Sequence, residues 1–151
     1  ELEKGEGYTF INFRDNIFFD GDSAVLKDQG KGILDAFINA INSVSSTIGE
    51  IQVLGHTSQA DPERPNNPVN DRVLSSERAA RVAAYIHQNS LVEPEKIIAI
   101  GYGQHRPIAG FDTSEERAKN RRVEILITKD DAVVQSLEEY YNEIYDTTDT
   151  E

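Results

Sequence analysis

The sequence predicts an α/β fold, in stricter terms an α+β two-layer sandwich. Helices pack on one face of a mixed four-stranded sheet in the order β-α-β-α-β-β, with one more helix at the C-terminus. Three observations carry this. Two helix-length stretches repeat apolar residues every three or four positions, while four shorter ones alternate or run apolar as strands do. Strands and helices alternate along the chain, which requires right-handed crossovers. A length of 151 residues gives room for a single core.

Residues 1–7 are rich in Glu and Gly and read as a linker to a domain spanning 8–130. Tyr8 to Phe13 alternates apolar and polar side chains, the period of a strand, and Phe18 to Ser23 is a turn-rich loop. Leu26, Ile33, Leu34, Phe37, Ile38, Ile41 and Val44 place a helix over about 26–46. Ile51 to Gly55 is a short strand, and residues 58–70, with three prolines and three asparagines, form an irregular loop. A second helix covers 69–88 with Val73, Ala79, Val82, Ala83 and Ile86 inward. Ile97 to Tyr102 is β-branched and reads as a largely buried strand, followed by a loop over 103–112 and one helical turn at 115–119. Arg122 to Thr128 is the last strand, with Val123, Ile125 and Ile127 on one face. Val133, Leu137, Tyr141 and Ile144 mark an amphipathic helix over 131–145, and 146–151 reads as a frayed tail.

Composition excludes several functions. A net charge of -12 argues against a nucleic-acid partner, because neutralising phosphates needs a basic face. It equally disfavours docking on anionic lipid. Without cysteine there is neither disulfide nor thiolate chemistry, which fits an oxidising envelope compartment. The longest apolar runs are of strand length, short of the roughly 20 residues that span a bilayer. A chain that opens at Glu1 and holds no methionine reads as a piece of a longer protein whose membrane anchor lies upstream.

Chemistry-bearing residues are few. Asp71 and Arg78 are seven apart, so on a helix they share a face about 10 Å apart along the axis. An arginine fork suits a carboxylate and an aspartate accepts from an ammonium group, so the pair fits the two ends of a zwitterionic amino acid. The alternative is a solvated helix face of mixed charge. His56 lies too near Ser58 for a nucleophilic pair to be assumed, and no nucleophile elbow is present. It reads as a structural, hydrogen-bonding residue. No His, Asp or Glu cluster has metal spacing, so no cofactor is expected. Gly101-Tyr102-Gly103 lacks the lysine and helix start of a phosphate loop and reads as a turn.

Three blocks in order, Gly55-His56-Thr57, Leu74-Ser75-x-x-Arg78-Ala79 and Asn120-Arg121-Arg122-Val123-Glu124-Ile125, resemble the OmpA/MotB family of peptidoglycan-binding domains. The resemblance runs from about Phe18 to Thr128. It implies an OmpA-like fold, no catalysis, and a pocket for the diaminopimelate of a cell-wall stem peptide, built from Asp22, Thr57, Ser58, Asp71, Leu74, Arg78 and Arg121. In the family the helix arginine, here Arg78, takes the free carboxylate, and an aspartate after Gly-His-Thr takes the ammonium. That aspartate is replaced by Ser58, while the family's asparagine in Asn-x-x-Leu-Ser falls on Asp71. Against the resemblance, two readings follow: Asp71 has taken over the ammonium contact, or wall binding has weakened or shifted to a different peptide, such as one with lysine or an amidated acid. Two arginines in a row on a strand face opposite ways. Arg121 is expected in the pocket beside Arg78, and Arg122 in an ion pair under the sheet or at its edge.

Within the family, the long proline-rich loop and the run Gly101 to Ile125 are most similar to the flagellar-stator branch, although the tryptophan usual before Leu-Ser is missing. That branch implies an extracytoplasmic tether of a single-pass inner-membrane protein, homodimeric, with a MotA-like membrane partner. Tyr140, Tyr141 and Tyr145 are candidates for the dimer interface, or else pack back on the domain. An outer-membrane anchor of the OmpA/Pal type, a non-flagellar ion-driven stator, and a wall-peptide hydrolase are the alternatives.

Overall fold

The computed structural model describes residues 2–5, 7–61, 63, 66–128 and 140–142. Along Tyr8–Arg14 (β2) every second residue is buried, namely Thr9, Ile11 and Phe13, so this segment extends and turns one side inward. Asp28–Asn42 (α1) buries Gly30, Leu34, Phe37, Ile38 and Ile41, the spacing of one helix face. Glu50–His56 (β3), Pro68–Asn89 (α2), Ile97–Gly101 (β4), Ser114–Asn120 (α3) and Arg122–Thr128 (β5) follow, after a first strand at Leu2–Gly5 (β1). The sheet runs β1-β2-β5-β3-β4, with β3 and β4 parallel and every other neighbour antiparallel.

Strand alternation separates the two faces of the sheet. Ile11 lies opposite Ile125, which lies opposite Val53, and these join Phe13, Ile51, Val123 and Ile127 in one core with the apolar faces of α1 and α2. The other face carries Glu124 opposite Leu54, and Arg122 opposite His56. The four expected strands thus form the mixed sheet in the expected order, with helices against one face.

Several boundaries and faces differ from expectation. The segment read as a linker holds β1, paired with β2 from Leu2 against Ile11 to Gly5 against Tyr8. An edge strand is held by backbone bonds on one side and needs no apolar alternation, so composition hid it. β4 is an edge strand too, half-buried with Ala99 exposed, and not the buried strand its β-branched run suggests. Helix α1 stops at Asn42, because the Ser/Thr-rich stretch after it bonds its own backbone, Thr47 Oγ1 donating to the Val44 carbonyl at 2.7 Å. In α2 the inward stripe is Ser75, Arg78, Ala79, Val82, Ala83 and Ile86, while Val73 is half exposed on the opposite side. The helix starts at Pro68 because the Asn67 carboxamide accepts from the N–H groups of Val69 and Asn70. Of the helix expected over 131–145, residues 140–142 are described and are helical. Tyr140 is buried edge-on against Phe37, at 6.0 Å, and not exposed as an interface residue would be. Tyr145 and the tail at 146–151 lie outside the described residues. Among the described residues no helix is long and apolar enough to cross a membrane.

Glycine sets how closely α2 lies on the sheet. Gly55 and Gly101 are paired neighbours on β3 and β4. A Cβ on Gly55 would run into the Ser75 carbonyl, and one on Gly101 into the backbone and hydroxyl of Ser76. The notch brings the first turns of α2 down onto the ends of both strands. Ser75 then fastens the chain beyond β4, accepting from the Gly103 N–H at 2.9 Å, and the Gly103 carbonyl accepts from Thr57 N–H at 2.9 Å. Gly55→Ala is expected to cost about 3 kcal/mol by overpacking. A melting temperature lowered by roughly 10 °C would show it.

Candidate functional site

Beyond the ends of β2 and β3 the chain encloses a cleft of about 430 Å³. Its walls are the loop after β2, the loop from Thr57 to Asn66, the first turns of α2, and the junction of α3 with β5. Asp22, Thr57, Ser58, Asp71, Leu74, Arg78 and Arg121, the residues singled out from sequence, all line it. Asp15, Arg14 and Asn66 line it as well. In a chain of net charge -12 the cleft matches three aspartates, Asp15, Asp22 and Asp71, with three arginines, Arg14, Arg78 and Arg121. A balanced set of opposite charges around one cleft suits a zwitterion better than a simple anion or cation.

Arg78 is buried, and its guanidinium is engaged on three sides. Nη1 donates to Asp15 Oδ2 at 2.7 Å, Nε to the Ser23 carbonyl at 2.8 Å, and Nη2 to the Asp20 carbonyl at 3.0 Å. Its carbon lies 5.0 Å from the Phe19 ring centroid. The open fork expected from sequence is thus largely used within the fold. Arg121, by contrast, is 40% exposed, and its ion pair with Asp15 Oδ1 is 4.0 Å long. Asp22 is exposed and holds φ +57°, an uncommon left-handed backbone for a residue other than glycine, on the rim of the cleft.

At the start of α2 Asp71 Oδ2 accepts from Thr57 Oγ1 at 3.1 Å and from Asn66 Nδ2 at 2.7 Å. The same Asn66 amide donates to the Ser58 carbonyl at 2.7 Å. One asparagine therefore ties the Asp71 carboxylate to the backbone of Ser58, whose own hydroxyl donates to the Gln59 carbonyl. Asp71 and Ser58 lie side by side, and only Asp71 brings a charge.

His56 is turned away from this chemistry. On the far face of the sheet its Nε2 meets Glu124 Oε1 at 2.5 Å, and Arg122 Nε donates to Glu124 Oε2 at 2.9 Å. Tyr102 stacks on the imidazole at 5.1 Å, and Arg106 lies over Tyr102. Arg122 also donates to the carbonyls of Asn120 and Arg106, so its ion pair is the one expected beneath the sheet. Asn120 is fully buried and satisfies the loop before α3, accepting from Ile108 and Ala109 N–H and donating to the Ala109 and Gly110 carbonyls. Among the described residues no group of three His, Cys, Asp or Glu is placed to hold a metal.

Sequence reading missed Asp15 and Asn66. Asp15 follows a strand as any surface acid does, and only the fold brings it between two arginines far along the chain. Asn66 sits in a run of Asn and Pro that marks a loop without saying what the amide binds.

A two-layer α/β domain with a charge-balanced cleft at the helix–strand junction describes a class of small binding modules. The chain belongs to the OmpA family, whose sequence profile matches residues 18–121. It is 35% identical over 117 residues to outer membrane protein A of Bordetella avium, covering 78% of this chain and 56% of that protein. To motility protein B of Bacillus subtilis it is 31% identical over 117 residues, covering 78% and 44%. It thus spans about half the length of these relatives. Among solved structures it is similar to the cell wall anchor of the T6SS from Pseudomonas aeruginosa, with 25% identity and a TM-score of 0.70 over 86% of this chain and 87% of that one.

Burial pushes the Glu124 carboxyl up, but the contacts from His56 and Arg122 outweigh it and hold the group below its usual value. A depressed folded-state value stabilises the fold fully above the unfolded carboxylate range, near pH 4.3, and that stability is lost as pH falls through the folded value. Unfolding by urea is therefore expected to grow easier below about pH 4.5, with a shallower pH slope in Glu124→Gln. At neutral pH Glu124→Ala, which leaves Arg122 buried without its acid, is expected to cost about 3 kcal/mol.

Proposed function

We propose that the chain is a non-catalytic peptidoglycan-binding domain that tethers a larger envelope protein to the cell wall through a diaminopimelate-type stem peptide. The observation that carries this reading is the balanced cleft, with the Asp71 carboxylate at the start of α2 and the guanidiniums of Arg78 two turns along that helix, Arg14 at the end of β2 and Arg121 at the start of β5. A zwitterionic amino acid offers an ammonium to the first and a carboxylate to the second. Asp71 serves as the ammonium acceptor in the place left by Ser58, since Asn66 binds both and holds the carboxylate against the Ser58 backbone. Likeness to the cell wall anchor of the T6SS from Pseudomonas aeruginosa supports the tether. Hydrolysis of the wall is the weaker reading, because the His56 imidazole is engaged by Glu124 and the Ser58 hydroxyl by a carbonyl.

The finer assignment is a MotB-like stator anchor, extracytoplasmic and homodimeric, working with a MotA-like membrane partner. Its support is the likeness to motility protein B together with the long proline-rich loop before α2. An outer-membrane anchor is the second reading, favoured by the likeness to outer membrane protein A. The coding sequence upstream of Glu1 separates them: one apolar span bearing a single aspartate supports the stator, a β-barrel or lipid-attachment site the outer-membrane anchor.

Co-sedimentation with purified sacculi tests the tether, with retention of the protein expected and release of soluble fragments counting against it. Calorimetric titration with a diaminopimelate-containing tripeptide tests the ammonium contact. Asp71→Asn is expected to weaken binding roughly tenfold or more, the scale of a charge-assisted hydrogen bond. Unchanged affinity would remove Asp71 from the site.

A further inference from the structure

We propose that a second groove, back to back with the cleft, takes the L-Ala-γ-D-Glu part of the same stem peptide and binds the α-carboxylate of its D-glutamate. This deepens the wall-peptide reading above and rests on it. The residues of the cleft keep the roles already given to them.

The groove holds about 460 Å³, as much room as the cleft, and is lined by Ala24, Val25, Leu26, Lys31, Glu77 and Arg81. One stretch of chain runs between the two hollows. Gly21 and Asp22 line the cleft, and Ala24 to Leu26 line the groove. Helix α2 is shared in the same way, with Leu74 and Arg78 on the cleft and Glu77 and Arg81 on the groove. Residues three apart on a helix surface stand about 5–6 Å apart at Cβ, so Arg81 is one short step from a cleft residue. The ridge between is fixed by its own bonds. Ser23 N–H donates to the Asp20 carbonyl at 3.2 Å, Val25 N–H to Ser23 Oγ at 3.0 Å, and Lys27 N–H to the Phe18 carbonyl at 2.8 Å. A ligand crossing it does not have to order it first, which removes one cost of binding.

Charge decides what the groove selects. Lys31 and Arg81 bring two cations and Glu77 one acid, a local surplus of positive charge in a molecule of net charge -12. All three are exposed, and their side chains make no hydrogen bond or ion pair among the described residues. Lys27, one turn before Lys31, is different, because its ammonium is held by the Asn16 carbonyl at 3.0 Å and by Asp20 at 3.6 Å. Glu77 and Arg81 have the spacing and order that favour a helical ion pair, yet that pair is not made. An ammonium and a guanidinium thus keep their donors for an anion.

The apolar lining says that this anion carries carbon. Val25 is 75% exposed at the groove, and Leu26 beside it is half-buried. A bare inorganic anion has no use for such a surface. The L-Ala-γ-D-Glu unit does, through the alanine methyl and the glutamate methylenes. Because its chain continues through the γ-carboxyl, the α-carboxylate is left free as a side group. This unit directly precedes diaminopimelate, so a peptide seated in the cleft by that residue delivers the acid to a site alongside.

Calorimetric titration with two tripeptides tests the groove: L-Ala-γ-D-Glu-diaminopimelate, and the same peptide with the D-glutamate α-carboxylate converted to its amide. Wild-type protein is expected to bind the acid about fivefold more tightly, the scale of exposed ion pairs, with the difference shrinking as salt is raised. In Lys31→Ala/Arg81→Ala the preference is expected to vanish, while the melting temperature and the affinity for free diaminopimelate stay as they are. Backbone amide resonances of Val25, Lys31 and Arg81 are expected to shift with the acid tripeptide and not with free diaminopimelate. The proposal is overturned by equal binding of the two tripeptides to wild-type protein, by a preference that survives in the double variant, or by groove amides that stay unmoved. Binding of free diaminopimelate and retention by sacculi would then leave the tether standing. Wild-type protein that binds neither tripeptide nor diaminopimelate and is not retained by sacculi removes the wall-peptide reading, and the groove's role with it.

Discussion

A buried arginine holds the two halves of the cleft in place. Arg78 projects from the inner face of α2, where a helix of this kind would normally place an apolar residue, and a bare guanidinium there would be costly. The cost is offset because the fold surrounds the cation with acceptors. One carboxylate neutralises it, two backbone carbonyls each accept one of its N–H groups, and an aromatic face covers its carbon. Those acceptors come from the stretch between β2 and α1, so a single side chain fastens α2 to a loop more than fifty residues earlier. Breaking it leaves both a buried charge and a loop whose carbonyls have lost their donor.

The second constraint is steric. Because Gly55 and Gly101 carry no Cβ, α2 descends until the Ser75 carbonyl touches β3 and Ser76 touches β4. This depth lets the Ser75 hydroxyl reach Gly103 and brings Asp71, one turn earlier, within reach of Thr57. Asp71 and Arg78 are thus both placed by helix–sheet packing of α2, whereas Arg14 is set by the end of β2 and Arg121 by the start of β5. Two rigid elements set the distance between the charges, and the loops close the gap.

Much of this was legible in the sequence, and what was not has physical reasons. Periodicity located the helices and the central strands because their burial is one-sided, and the family resemblance gathered seven residues that the fold brings to one cleft. Periodicity failed at the edges. β1 is an edge strand paired with β2, and its Glu/Gly-rich sequence carries no alternation to mark it, while Val73 fits the helical repeat but faces outward. Partners failed to show for a similar reason. Nothing near Asp15 in the chain says that it stands between Arg78 and Arg121, and Asn66 looks like any loop asparagine until its amide is seen to join Ser58 to Asp71. A motif names the residues at a site, but which of them still have donors to offer depends on contacts made across the fold.

The charge balance of the cleft follows from these contacts and bears on what it can hold. Of its three acids, Asp15 is committed to Arg78, and Asp22 sits on the exposed rim. Asp71 is half-buried, with one oxygen held by two donors and Oδ1 without a bond from the described residues. Among the three arginines, Arg78 is committed and Arg121 keeps its fork. After the Asp15–Arg78 pair cancels, the cleft keeps two carboxylates, Asp71 and the rim Asp22, and two guanidiniums, Arg121 and Arg14, in a molecule of net charge -12. A simple anion would be repelled on approach by the net charge, and a simple cation would be drawn to many carboxylates with little discrimination. A ligand carrying both charges at a fixed separation feels little of the overall field and gains only where both partners are present. Selectivity of that kind comes from geometry, and here the geometry is set by the depth of α2 and the position of Arg121 at the start of β5.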